Sequence, residues 1–122
     1  MRADLEIIQQ WIAPESRVLD LGCGDGAFLA HLKKEKNIRD CGLEIDVDNI
    51  NLCLQAGVNV IEQDLNKGLS NFESDSFDTV LLAHTLQTVE RPDILVEEML
   101  RIGKNCIITF PNFAHWRHRL KL

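Results

Sequence analysis

An α/β fold is what this chain predicts: a doubly wound, Rossmann-like, mostly parallel sheet of about five strands in the order 3-2-1-4-5. Three observations carry it. Short β-rich runs alternate with stretches of about ten residues at helical spacing, the pattern of successive βα units. The strand from Phe77 to Ala83 contains the continuous apolar run Val80 to Ala83, as a sheet covered on both faces requires. The first strand runs directly into the glycine cluster Gly22, Cys23, Gly24, Asp25, Gly26, after which helical spacing resumes.

Taken in order, Leu5, Ile8 and Ile12 recur at helical spacing, Trp11 joins Ile7 at i, i+4, and Pro14 stops this opening helix. Arg17 to Leu21 is the first strand, and Phe28, Leu29 and Leu32 are the buried stripe of the helix beyond the glycines. Cys41 to Ile45 reads as the second strand and Asp48 to Ala56 as a helix with Ile50, Cys53 and Leu54 turned inward. Gly57 closes that helix, and Val58 to Ile61 makes the third strand. Phe77 to Ala83 is the fourth. Pro92 suits the first position of a helix whose inward residues are Leu95, Met99 and Ile102; Gly103 ends it, and Cys106 to Phe110 makes the fifth strand. Asn112 is placed to cap a last helix.

At 122 residues the chain is one domain, and its 45% apolar content is enough for a core without metal or disulfide. The formal charge of −6 opposes general affinity for nucleic acid or anionic membrane surfaces. That charge is uneven: residues 1–110 carry ten bases against nineteen acids, whereas Arg117, Arg119 and Lys121 make the tail basic. Four cysteines with no CxxC spacing read as reduced thiols, Asp4 and Glu6 stand where a signal peptide would be apolar, and a cytoplasmic location is expected.

Right-handed crossovers place the ligand above the carboxyl ends of strands 1 and 4, where the chain order reverses. Gly22, Gly24 and Ala27 satisfy G-x-G-x-x-[GA] at that point. Asp20 and Asp25 flank the turn, however, and carboxylates there disfavour a pyrophosphate while suiting an ammonium or sulfonium. Glu44, twenty-four residues after Asp20, can accept from both hydroxyls of a ribose, while Asp46 and Asp48 begin and cap the following helix. Asp64 is placed to accept from an adenine amino group with Leu65 on the ring, or to form an ordinary Asx turn.

The ordered runs VLDLGCGDG, GLEID, IEQDL and FDTVLLAHTLQ resemble the motifs of class I S-adenosylmethionine-dependent methyltransferases. Over nearly the whole chain, MRADLEIIQQWI, GVNVIEQDLNKGL and EEMLRIGKNCIITFPNFAHWRHR resemble the MetW family of bacterial methionine biosynthesis. The resemblance implies the methyltransferase fold, S-adenosylmethionine or S-adenosylhomocysteine as ligand, and association with homoserine O-acyltransferase (MetX). By motif position it assigns Asp20, Gly22, Gly24 and Gly26 to the methionine side, Glu44 to the ribose, and Asp64 with Leu65 to the adenine. The fold usually has seven strands, so a chain of five is expected to stop short of its C-terminal strands.

Methyl transfer from a sulfonium obliges no base; His84, just past the fourth strand, is the best-placed candidate if one is used. His115 and His118 lack the acid or thiol that would complete a zinc set, so no metal is expected. Cys23 in the loop reads as small-residue packing rather than a nucleophile. The aromatic and basic residues of FPNFAHWRHR suit a protein interface better than nucleic acid. The exposed fifth strand predicts pairing with a second copy or cover by the tail helix. Two functions remain open: a ligand-binding partner of the acyltransferase, and an active methyltransferase on an unknown small-molecule or protein acceptor.

Overall fold

The computed structural model describes residues 3–83, 88–110 and 115–119. Helix α1 (Ala3–Gln9) is followed by residues up to Ile12 whose carbonyls are gathered in by Lys36, its ammonium donating to the oxygens of Gln9 and Ile12. Strand β1 (Arg17–Leu21) begins where Arg17 meets Asp78, through its backbone N–H at 2.8 Å and its guanidinium at 3.2–3.3 Å. Helix α2 (Ala27–Lys36) buries Phe28, Leu29 and Leu32, the expected stripe.

Strand β2 (Arg39–Glu44) leads to α3 (Val47–Gln55), whose first turn is capped by Asp46 accepting from the N–H groups of Asp48 and Asn49. At the other end the N–H groups of Gly57 and Val58 donate to the carbonyls of Leu54 and Cys53, the paired closure of a Schellman motif. Only Cys53 of α3 is buried; Ile50 is half-buried and Leu54 is exposed, because the helix lies over the margin of the sheet and offers it a narrow stripe. That corrects the expected inward position of Leu54.

Strand β3 (Val60–Glu62) precedes a short 3-10 turn, Leu65–Lys67. Then come β4 (Phe77–Ala83), α4 (Pro92–Ile102) with Leu95, Met99 and Ile102 buried, β5 (Gly103–Thr109) and β6 (His115–Arg119). The sheet order is β3-β2-β1-β4-β5-β6, so the doubly wound order expected for the first five strands is observed, all of them parallel. Alternate strand residues feed two cores. Val18, Leu81 and Ile107 face α1 and α2, while Leu19, Val80, Leu82, Cys106 and Ile108 face α4. Among the described residues no helix is long and apolar enough to cross a membrane.

The tail differs from expectation. Asn112 lies outside the described residues, and His115–Arg119 is a sixth strand rather than a helix, running antiparallel to β5 with Ile108 opposite Trp116 and Ile107 opposite Arg117. Five residues alternating in exposure satisfy the open backbone groups of β5 directly, which a helix cannot do. With β4 on one side and β6 on the other, β5 is no longer an edge, so the expected homodimer through strand 5 has no free strand there to pair with. His115 and His118, three residues apart on a strand, point to opposite faces.

Hydrogen exchange checks this arrangement. The amides of Ile107, Ile108 and Thr109 should all exchange slowly, at a rate independent of protein concentration, because both sides of β5 are paired within one chain. Fast exchange at alternate β5 amides would place the tail elsewhere.

Candidate functional site

Three chain segments meet at the carboxyl ends of β1 and β2. The turn after β1 folds back because the N–H groups of Gly22 and Cys23 share one acceptor, the carbonyl of Leu43, at 2.8 and 2.9 Å. Gly22, Gly24 and Gly26 all have left-handed backbone, with φ of 75°, 60° and 82°. Gly26 is needed twice over, since a Cβ there would lie 2.9 Å from the Cys53 sulfur and 3.2 Å from Val58. A Cβ on Gly24 would meet nothing within 4 Å, so that side of the loop is open. Asp25 is local: its Oδ1 accepts the Ala27 N–H at 2.9 Å and secures the start of α2.

Glu44 holds the loop in place. Its Oε1 accepts the Gly24 N–H at 2.8 Å, and its Oε2 accepts the N–H groups of Ile45 and Asp46 at 3.1 and 3.0 Å. A carboxylate offers about four lone-pair directions, so capacity for further donors remains. Beneath it lies Asp20, 4% exposed, with an Oδ1 that has no hydrogen-bond partner among the described residues. Burial, and after it the charge of Glu44, pushes the Asp20 carboxyl up to about 7. An orphaned buried acceptor costs roughly 1–3 kcal/mol, so Asp20 is there for something other than stability.

A cavity of about 370 Å³ opens beside these residues, lined by Gly22, Glu44, Asp64 and Leu65 of the expected set. Asp20, Gly24 and Gly26 are not in its wall; they form the floor and frame of the loop above β1. Asp64 is an Asx turn as well as a wall residue, its Oδ1 accepting the Asn66 N–H at 2.9 Å and starting the 3-10 turn. Sequence reasoning missed Ile45, Gln63, Asn66 and Val89, which also line the cavity. Ile45 reads in sequence as the end of the second strand; its 58% exposure just past Glu44, which marks it as a wall residue, is visible only in the structure. Asn66 carried no readable signal either: its Oδ1 accepts the Glu90 N–H at 2.9 Å and draws in the chain beyond β4, a contact set by tertiary structure. His84 lies outside the described residues.

Among the described residues no lysine or arginine stands in that wall, whereas Glu44 and Asp64 do, with Asp20 below. The electrostatics suit a ligand with a cation and hydroxyl or amino donors, and oppose a pyrophosphate. The thiols of Cys23 and Cys53 sit 3.6 Å apart behind the loop, and burial raises both above the ordinary thiol range, so neither is an activated nucleophile.

Two stability experiments test the geometry. Gly26→Ala combines left-handed strain with the Cys53 and Val58 contacts and should lose about 2–4 kcal/mol in urea unfolding, whereas Gly24→Ala, with strain alone, should lose about 1–2 kcal/mol. Equal losses would contradict the packing of the loop. For Asp20, the folded-state value near 7 lies above the ordinary value of 3.8, so the folded protein holds a proton that the unfolded chain releases between those pH values. Stability should therefore fall as pH rises from about 4 to 7, and Asp20→Asn should flatten that fall and gain a few kcal/mol at pH 8.

Comparison with known proteins bears on the family and the fold. The chain is 42% identical over 123 residues to the bifunctional methionine biosynthesis protein MetXA/MetW of Rhodopirellula baltica, covering 94% of this chain and 20% of that one, so it spans about a fifth of that relative's length. A solved S-adenosylmethionine-dependent methyltransferase of Thermotoga maritima, described as a possible histamine N-methyltransferase, superposes with a TM-score of 0.69 at 27% identity, over 87% of this chain and 49% of its own. Haemonchus contortus phospholethanolamine N-methyltransferase 2, solved with phosphomonomethylethanolamine and S-adenosylhomocysteine, shares the fold with a TM-score of 0.76 at 23% identity, over 88% of this chain and 27% of its own. The model of the family described as methionine biosynthesis protein MetW matches residues 2–122, and the chain belongs to that family.

Proposed function

We propose that the cavity at the ends of β1 and β2 binds S-adenosylmethionine or S-adenosylhomocysteine, and that this single methyltransferase-like domain acts in methionine biosynthesis with homoserine O-acyltransferase. The observation that carries the reading is a carboxylate-lined cavity, free of cationic side chains among the described residues, over a buried acid whose Oδ1 has no partner among them. In this reading Asp20 faces the ammonium end of the ligand, with Gly22, Gly24 and Gly26 giving the chain a backbone surface free of side chains. Glu44 accepts from the ribose diol, and Asp64 and Leu65 hold the adenine. When bound, the ligand supplies an activated methyl group on its sulfonium. The described residues contribute binding, orientation and exclusion of water, and none of them is compelled to move a proton.

Support for the partner comes from the Rhodopirellula relative, whose name joins MetXA and MetW in one chain. Fusion holds two activities at high effective concentration, which favours contact between them. The half-buried segment of β6, with Trp116 38% exposed and stacked at 6.1 Å on His118, is the surface proposed for that contact. The second reading, an active methyltransferase, is favoured by the solved neighbours that carry that name.

Titration calorimetry tests the ligand. S-adenosylhomocysteine should bind and NAD should not, and Glu44→Ala should weaken binding at least about tenfold, since a hydrogen bond to a charged group contributes roughly 1.5–3 kcal/mol. Because Glu44 also holds the loop, Asp64→Asn, which spares those bonds, is measured beside it. NAD binding, or two unchanged affinities, would overturn the assignment. Incubation with methyl-labelled S-adenosylmethionine and the acyltransferase then divides the readings. Association lost on Trp116→Ala without label transfer fits the partner, and transfer that needs Glu44 but not the acyltransferase fits the enzyme.

A further inference from the structure

The opposite end of the sheet holds a larger cavity, of about 760 Å³, which shares no lining residue with the first. Its position follows from the register. Ser16 precedes β1, Asp78 and Thr79 begin β4, Lys104 and Asn105 begin β5, and Arg119 ends the antiparallel β6, so all lie at the amino ends of the parallel strands. In sequence, Arg117 and Arg119 read only as part of a contact surface.

Two buried polar residues form its floor. Thr79 and Asn105 are 2% and 7% exposed and stand opposite each other on β4 and β5. The Asn105 amide donates to Thr79 Oγ1 and to the Trp11 carbonyl, each at 3.2 Å, and its Oδ1 accepts Arg117 Nε at 2.9 Å. Arg117 is also laid over the Trp11 ring, 5.1 Å from its centroid. A buried amide and an aromatic face therefore fix one guanidinium whose remaining N–H groups, about four by its chemistry, have no acceptor among the described residues.

The charges around it do not cancel. Lys36, Lys104, Arg117 and Arg119 line the cavity against Glu15 and Asp78, and Asp78 is already paired with Arg17. The Lys36 ammonium is committed to backbone carbonyls. Arg119 has no carboxylate partner among the described residues, and its charge adds to burial in lowering the Arg117 guanidinium from its ordinary range. In a chain of net charge −6, the two adjacent guanidiniums stand without an acid partner among the described residues, and Lys104 shares Asp78 with Arg17, so the wall stays short of negative charge.

We propose that this cavity is a second ligand site, for a small multivalent anion presenting carboxylate or phosphate oxygens to Arg117, Arg119 and Lys104. Arg117 is the preorganised donor, and Arg119 and Lys104 supply charge from two other points of the rim. The site is independent of the cofactor reading, because it shares neither residues nor sheet end with it.

Trp11 reports on it. In a Trp116→Phe background the remaining tryptophan lies under Arg117, so its fluorescence is followed while pyrophosphate, and separately citrate, is added at constant ionic strength. A saturable change is expected with one or both, the stronger naming the anion class. Arg119→Gln should raise the dissociation constant at least fivefold, and Arg119→Gln with Lys104→Gln at least twentyfold, while S-adenosylhomocysteine binding stays within twofold. Arg119 has no carboxylate partner among the described residues, and loss of the Lys104 charge leaves Asp78 its bonds to Arg17, so the fold is preserved. A response matched by sodium chloride, or one that survives the double substitution, would overturn the proposal.

Discussion

The Glu44 carboxylate is the point on which the site depends. It accepts three backbone N–H groups, one from the glycine loop and two from the chain leaving β2, and so joins two turns. The Leu43 carbonyl, taken by Gly22 and Cys23, completes the join from the strand side. Side-chain acceptors that replace water at left-handed turns contribute about 1.5–3 kcal/mol each, because the acceptor is charged. The loop is therefore shaped before any ligand arrives, and the acid that shapes it also fills the cavity wall.

Preorganisation carries a cost, and Asp20 bears it. An unpaired buried carboxyl beside a second acid is tolerated only as its neutral form, which is why its proton is held up to near neutrality. A cation brought close to that oxygen would favour the charged form, so the proposed ligand would couple its binding to release of that proton. The same logic, with the signs exchanged, governs the other end of the sheet, where guanidiniums stand without acids.

Much of this was legible in the sequence because it is local. The glycine turn, the Asp46 cap, Pro92 at the start of α4 and the stripes of α2 and α4 each follow from residue type and spacing. Glu44 and Asp64 were placed by the strand ends they follow, and both line the cavity. What stayed hidden is non-local. Leu54 sits at an inward helical phase, yet the sheet is too narrow beneath α3 to cover it. His115–Arg119 has no β-branched residue and a helix-compatible pattern, and it becomes a strand because β5 offers a row of open hydrogen-bonding groups. Asn105 reads as an ordinary polar residue in a strand until Trp11 and Arg117, 94 and 12 positions away, arrive to bond it.

The sixth strand also bears on how the molecule behaves in a crowd of its own copies. Its outer edge carries the unpaired backbone groups that β5 would otherwise have presented, but the side chains along it are His115, Trp116, Arg117, His118 and Arg119. Two such edges approaching antiparallel would bring histidine and arginine against histidine and arginine, with no acid on either strand to offset the repulsion. Sheet-to-sheet growth of the kind that leads to aggregates is thus opposed along this strand by the charge of its arginines.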